Sequence, residues 1–286
     1  MKKLAHILFF AFSFLTAVNI DAQPAGGVFQ PGDYRDGIYD KENSVNRRFI
    51  PYTHLREGDV TWEKRVWREL DMREKQNQQL YYPVEPVESR ISYLQVLLKY
   101  ILRGEIKAFS DEEFLQPLEL SVIRMKIMKQ GDSTDQISYL ADGTEVTTKI
   151  LPPADSLWMA RDFRKLKLKE DWFFDKQKSV LEVRILGMGV ITWDETKELP
   201  IDQFWVYFPA CRPYFAKHEV FNAKNDAERR TFEDIFWKRQ FSSVATKETN
   251  VYDRLIMQYS KGIDALLESD RIKNDIFRWE HDLWHF

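Results

Sequence analysis

The apolar positions of this chain change period several times, and each change marks an element. Asp59–Asn77 carries Trp62, Val66, Leu70 and Arg73 at helical spacing, with Trp67 beside them and Thr61 placed to cap the start, which predicts a helix. Its strength has to come from burying the tryptophan face, because Lys64 and Arg68 are a like-charged i,i+4 pair. Pro83 and Pro86 interrupt the chain, and Ser89–Gly104 then sets Ile91, Leu94, Leu98 and Ile101 on one helical face, with Gly104 as the stop. Ser110 and Glu113 have capping-box spacing, which predicts a short helix over 111–115 that Pro117 ends.

Around Ser121 the period shortens to two. Ile123, Met125 and Ile127 alternate with Arg124 and Lys126 and predict a strand. The runs 137–140 and 145–150 flank Asp142-Gly143, a hairpin turn signal. Pro152-Pro153 is the candidate boundary between two parts, and 155–171 reads as a helix. Ser179–Thr192 reads as buried strand, in which Gly187 and Gly189 mark a bulge or a close backbone approach. Gln203–Phe208 alternates as a second strong strand that Pro209 stops, and a short helix over 212–217 follows. A charged amphipathic helix is expected over 226–241, carrying Phe232, Phe236 and Trp237, and another over 261–275. The aromatic tail IFRWEHDLWHF either docks or stays mobile. The sum is an α+β fold: a helical N-terminal part with a small hairpin, 59–152, then a mixed sheet-and-helix part, 153–286.

The first 58 residues lack this periodicity. Lys2 and Lys3 precede an apolar run from Leu4 to Val18, and Ala22 is a plausible last residue of a secretory signal. The run is short for a spanning helix, which favours a cleaved signal over an uncleaved anchor. Residues 23–58 are rich in Gly, Pro, Asp, Asn and Arg and read as an extended or mobile arm, laid on a neighbour in an assembly or left as a disordered leader.

Composition adds two things. With 44% hydrophobic and 30% charged residues a folded chain is expected, and nine tryptophans supply area that favours interfaces wherever it is left exposed. A net charge of −3 gives no pull toward nucleic acid or membrane in bulk. The sole cysteine, Cys211, excludes an internal disulfide and lies far from any site of N-terminal lipidation.

No constellation carries strong chemistry. Cys211 with His218 gives no local nucleophile–base arrangement, so a packing cysteine is expected. Asp171 and Asp175, with Glu170, suit a glycoside-cleaving pair only if their carboxyls converge. His281 and His285 would share a helix face, but the motif is not His-Glu-x-x-His, and a surface tail is the plainer reading. Gly187-Met188-Gly189 lacks the third glycine and following helix of a nucleotide loop. The segment from Glu219 to Tyr259 mixes aromatic and basic side chains on one element, as docking surfaces do, although the chain's own core would satisfy its aromatics equally well.

Several stretches taken together carry a resemblance: KRVWRELDMREKQN (64–77), Ser110 to Phe114, EDWFFDKQKSVLEVRILGM (170–188), FWVYFPACRPYFAKHEVFNAKNDAERRTFEDIFWKRQFSS (204–243), then Lys247-Glu248, Tyr252-Asp253-Arg254 and Gly262. From about 60 to 284 the chain resembles the gliding-motility GldN family, called PorN in non-gliding relatives, of the Bacteroidetes type IX secretion machinery. The resemblance implies a periplasmic, non-enzymatic assembly component without cofactor. It would form a ring with an outer-membrane lipoprotein, the K component (GldK/PorK), and contact the periplasmic part of the inner-membrane motor component M (GldM/PorM). It would have no lipid anchor of its own. Trp62, Trp67, Arg68, Phe236, Trp237, Arg239 and Tyr252 are the expected interface or interface-supporting positions. The alternative is a periplasmic glycan-binding or glycan-cleaving protein, suggested by the tryptophans and by Asp171 and Asp175.

Overall fold

Val60–Asp71 is a twelve-residue strand, β1, and not the helix its tryptophan spacing predicts. The computed structural model describes residues 46–87, 90–127, 134–139, 145–150, 163–194, 199–222, 225 and 227–283. Trp62, Val66 and Leu70 are four apart, an even number, so they share a face in a strand as well as in a helix. The positions that separate the two readings are Arg65 and Glu69, which a helix would bring to the same face as Trp62 and which are charged. Val66, Arg68 and Leu70 are buried alternately along one side of β1, the period of a pleated strand.

β1 lies inside a six-stranded antiparallel sheet. The other strands are β2 (Ala108–Phe109), β5 (Lys165–Asp175), β6 (Val180–Asp194), β7 (Leu199–Tyr207) and β10 (Val244–Glu248), in the order β10-β1-β5-β6-β7-β2. Thus β1 and β2, from the predicted helical part, sit in the same sheet as strands that follow residue 153, and Asn43–Phe286 forms one compact unit. The hairpin is present as β3 (Thr134–Tyr139) paired with β4 (Glu145–Ile150), and a further small ribbon joins β8 (Glu219–Val220) to β9 (Arg230–Thr231). The signal segment, the Pro152-Pro153 boundary, most of the arm and His285 lie outside the described residues.

Where a helix was expected over 155–171, β5 begins at Lys165; its buried face, including Leu166, Leu168 and Glu170, shows alternation that the intervening lysines hide. Conversely the alternation at 123–127 is that of a helix, α3 (Leu120–Ile127), in which Ile123 is buried and Met125 is exposed. Ser110 and Glu113 cap no helix; the chain turns there through Phe114, at φ 61°, and lays that ring on Gly187.

The helix expected from Ser89 starts after Ser92. After the single turn α1 (Gln78–Tyr81), α2 spans Tyr93–Leu102. Ser92 and Gln95 form a reciprocal capping box, and Gln95 also donates to the Val84 carbonyl at 2.7 Å, which anchors the start to the preceding loop. Gly104, at φ 77°, ends the helix as expected. On the sheet α2 meets α4 (Phe208–Phe215) and α5 (Phe232–Trp237), so the charged helix expected over 226–241 is confined to six residues capped by Thr231 and Asp234. The rings of Tyr93, Phe208, Phe215, Phe232, Phe236 and Phe241 form the core between these helices.

Both glycines of β6 are sites of close approach. A Cβ on Gly189 would stand 2.8 Å from the ring of Trp205, its cross-strand neighbour, and one on Gly187 would stand 2.5 Å from the Phe114 ring. At the other end of the sheet β10 carries α6 (Ile256–Tyr259) and α7 (Ile263–Asp282). The tail is therefore helical as far as Asp282 and docks through Trp279, which stacks on Trp62 at 4.3 Å and meets Phe174 edge-on.

Candidate docking surface

The seven expected interface residues divide by burial. Phe236 is in the aromatic core, its ring 5.5 Å from that of Tyr93. Arg68 is buried and donates to the Ser243 hydroxyl at 2.8 Å and to the Ser243 carbonyl. Trp62 is half-buried under Trp279. Trp67, on the opposite side of β1, donates through Nε1 to Glu112 at 2.7 Å and lies 4.4 Å from the Lys247 ammonium. Arg239 reaches back from the end of α5 and holds the fully buried Glu170 with both terminal nitrogens. These five side chains are engaged in contacts within the chain. Trp237 and Tyr252 are exposed.

Trp237 belongs to a clasp that sequence reading missed. Arg212 is buried on α4, with its Nε and Nη2 on the same Glu233 oxygen, and Nη2 also donates to the Ile50 carbonyl at 2.6 Å. Its guanidinium faces the rings of Tyr52 at 4.2 Å, Trp237 at 4.8 Å and Phe49 at 5.2 Å. Tyr52 in turn stacks on Trp237, and Arg47 pairs with Asp234. The last part of the arm thus lies on its own chain's α4 and α5. Burial there pushes the Tyr52 phenol up to about 12. The signal was in the sequence: Phe49 and Tyr52 are bulky aromatics in a segment otherwise read as unstructured.

Tyr252 belongs to an exposed apolar rim. Asn250 closes the turn, donating to the Glu248 and Arg254 carbonyls and accepting from the Arg254 amide. Ile256 pins α6 into the small core with Val66, Ala245, Ile272 and Ile276. Outward from this anchor stand Val251, Tyr252, Leu255 and Met257, with Val251 97% and Met257 73% exposed. Arg254 lies over the rings of Tyr252 and Tyr259, and the Tyr259 hydroxyl donates to Glu268 of α7. The rim is therefore a braced surface, and apolar groups so presented are characteristic of contact with another protein.

The candidate chemistry is engaged elsewhere. The Cys211 thiol is buried, its pKa pushed up by burial, and it donates to the Tyr207 carbonyl; His218 stands by the Tyr100 hydroxyl at 3.0 Å instead. Glu170 and Asp171 are consecutive in a strand and so point to opposite faces. Asp171 is gripped by Arg65, and Asp175 accepts from the Gln177 amide. Asp171 and Asp175 are four strand residues apart, about 13 Å at the usual rise, too far for a paired-carboxylate hydrolysis. Gly187-Met188-Gly189 is mid-strand. Among the described residues no helix is long and apolar enough to cross a membrane.

A family model described as Gliding motility associated protein GldN matches residues 55–285. No curated protein matches the chain.

Proposed function

The chain belongs to the GldN family, and from that premise we propose that it is a non-enzymatic periplasmic component which forms a ring with an outer-membrane lipoprotein, the K component, and couples it to the periplasmic part of the inner-membrane motor component M. Membership places it among components of the gliding-motility and type IX secretion machinery. The observation that carries the finer reading is the braced apolar rim of Val251, Tyr252, Leu255 and Met257. Coupling two membranes transmits force, and a contact that does so needs apolar anchors on rigid backbone. The rim has this form: it is fixed to the sheet by Ile256 and closed by Asn250, while its large side chains face outward. Trp62, stacked under Trp279, packs against the same small core as Ile256. A signal at 1–22 would deliver the chain to the periplasm, and the lipoprotein would hold it at the inner face of the outer membrane.

Affinity purification of the chain from cells, with crosslinking and mass spectrometry, tests this. Crosslinks from the Tyr252–Met257 rim to the lipoprotein or to the motor component are expected, and deletion of the gene should leave cargo proteins inside the cell. A chain that crosslinks to neither and binds purified cell-wall glycan would instead establish the glycan-binding alternative.

A further inference from the structure

Helix α7 has two apolar stripes, and the core accounts for only one. Ser269, Ile272 and Ile276 face inward, with Trp279 on Trp62, and the Ser269 hydroxyl accepts from the Ala245 amide of β10 at 2.7 Å. On a second side, about a third of a turn around the helix, Ile263, Leu266 and Phe277 are 75%, 55% and 64% exposed. A helix that covers a sheet has one apolar stripe and a polar outer face; a second stripe is what a helix shows when something else covers it. The outer positions run Ile263, Leu266, Asp270, Lys273, Phe277, alternating steps of three and four, the seam of a two-stranded coiled coil. Its centre is an acid and a base. Asp270 and Lys273 are both exposed, and neither has an ion-pair partner among the described residues.

We infer that the outer face of α7 pairs antiparallel with the same face of a second copy of this chain, about a two-fold axis passing between Arg271 and Ile272. The central charges choose both the occupant and the direction. In parallel pairing Asp270 would meet Asp270 of the partner subunit and Lys273 would meet Lys273 of the partner subunit, two like-charge contacts. In antiparallel pairing Asp270 meets Lys273 of the partner subunit and Lys273 meets Asp270 of the partner subunit. The same register sets Leu266 against Phe277 of the partner subunit, and the reverse, so an apolar layer flanks the ion pairs on each side. One helix is thus complementary to itself, as an isologous contact requires. The inner face is already fixed to β10 and β1, so the outer stripe is presented without reorganisation. The α6 rim is a separate surface, and the pairing stands whichever partner the rim meets.

Light scattering and sedimentation of the purified chain test the pairing. Wild type is expected to dimerise. Asp270→Lys and Lys273→Asp, each alone, replace two attractive contacts by two repulsive ones and should raise the dimer dissociation constant by at least about tenfold at low salt. The double variant Asp270→Lys/Lys273→Asp restores both pairs and should recover the dimer, and an equimolar mixture of the two single variants should yield heterodimers. Because Cys211 is buried, a Leu266→Cys/Phe277→Cys chain should oxidise cleanly to a disulfide-linked dimer. A wild type that remains monomeric at its highest soluble concentration, or an Asp270→Lys variant that dimerises like wild type, overturns the inference. If a monomeric chain also loses capture of the lipoprotein on Leu266→Glu, the stripe belongs to that partner and not to a second copy.

Discussion

Arg239 holds Glu170 through both arms of its guanidinium, at 2.9 and 3.0 Å, and it does so from a left-handed backbone position at φ 52°. A glycine would adopt that conformation more easily at the end of α5. The arginine is kept there because Glu170 is fully buried on β5, with Trp172 as its other hydrogen-bond donor. Arg239→Ala leaves a buried carboxylate without its counter-charge and should cost about 3–5 kcal/mol. Urea denaturation measures this, and a loss under about 1 kcal/mol would show that water replaces the guanidinium.

Tyr52→Ala removes a ring that lies against both the Arg212 guanidinium and the Trp237 ring. The contact contributes about 1–2 kcal/mol, so trypsin should cut at Arg47, Arg48 and Arg56 roughly tenfold faster while the body of the chain resists. Unchanged cutting would mean that the Ile50 carbonyl contact and the Arg47–Asp234 pair hold the arm without the ring.

Gly189→Ala drives a methyl into the buried Trp205 ring and should destabilise the sheet by roughly 1–3 kcal/mol. A melting curve identical to wild type would contradict the close approach.

Burial lowers the His218 pKa to about 4 from 6.5, with Lys99 and Lys217 pushing the same way. Between these values the unfolded chain binds the proton and the folded chain does not. The stability from neutral His218 is therefore complete above about pH 6.5 and is lost as pH falls toward 4. Urea midpoints across this window should rise with pH in wild type and rise less in His218→Asn. Equal slopes would remove His218 from the account.

Val251→Glu with Met257→Glu changes only exposed side chains. Stability should stay within about 0.5 kcal/mol of wild type, while recovery of the lipoprotein in a pull-down falls. A pull-down unaffected by both charges would exclude the rim as the contact.

The α+β class, α2, the hairpin, the two close glycines and the C-terminal helix were legible because each rests on local pattern. β1 was not, because Trp62, Val66 and Leu70 fit both periods and only the charges between them separate the two. At 123–127 three alternating residues were too few to outweigh a helix that buries Ile123 and exposes Met125. Phe114 was illegible in principle, because its backbone follows from Gly187, more than seventy residues on. For the candidate residues, sequence identified aromatic and basic groups but not their burial. Arg68 and Phe236 turned inward because their partners, Ser243 and Tyr93, come from distant elements.

The order of the strands also bears on how the chain is made. β1, the first strand of this sheet, lies between β5 and β10, so its two edges are filled by residues 165–175 and then by 244–248. No early fragment can complete this sheet. During synthesis β5 can close one edge of β1, but the other stays open until β10 emerges, and a pairing across so long a sequence forms slowly. The sheet is therefore completed only once the chain has reached Glu248 of its 286 residues, and the step that completes it is closure of the long loop between β1 and β10.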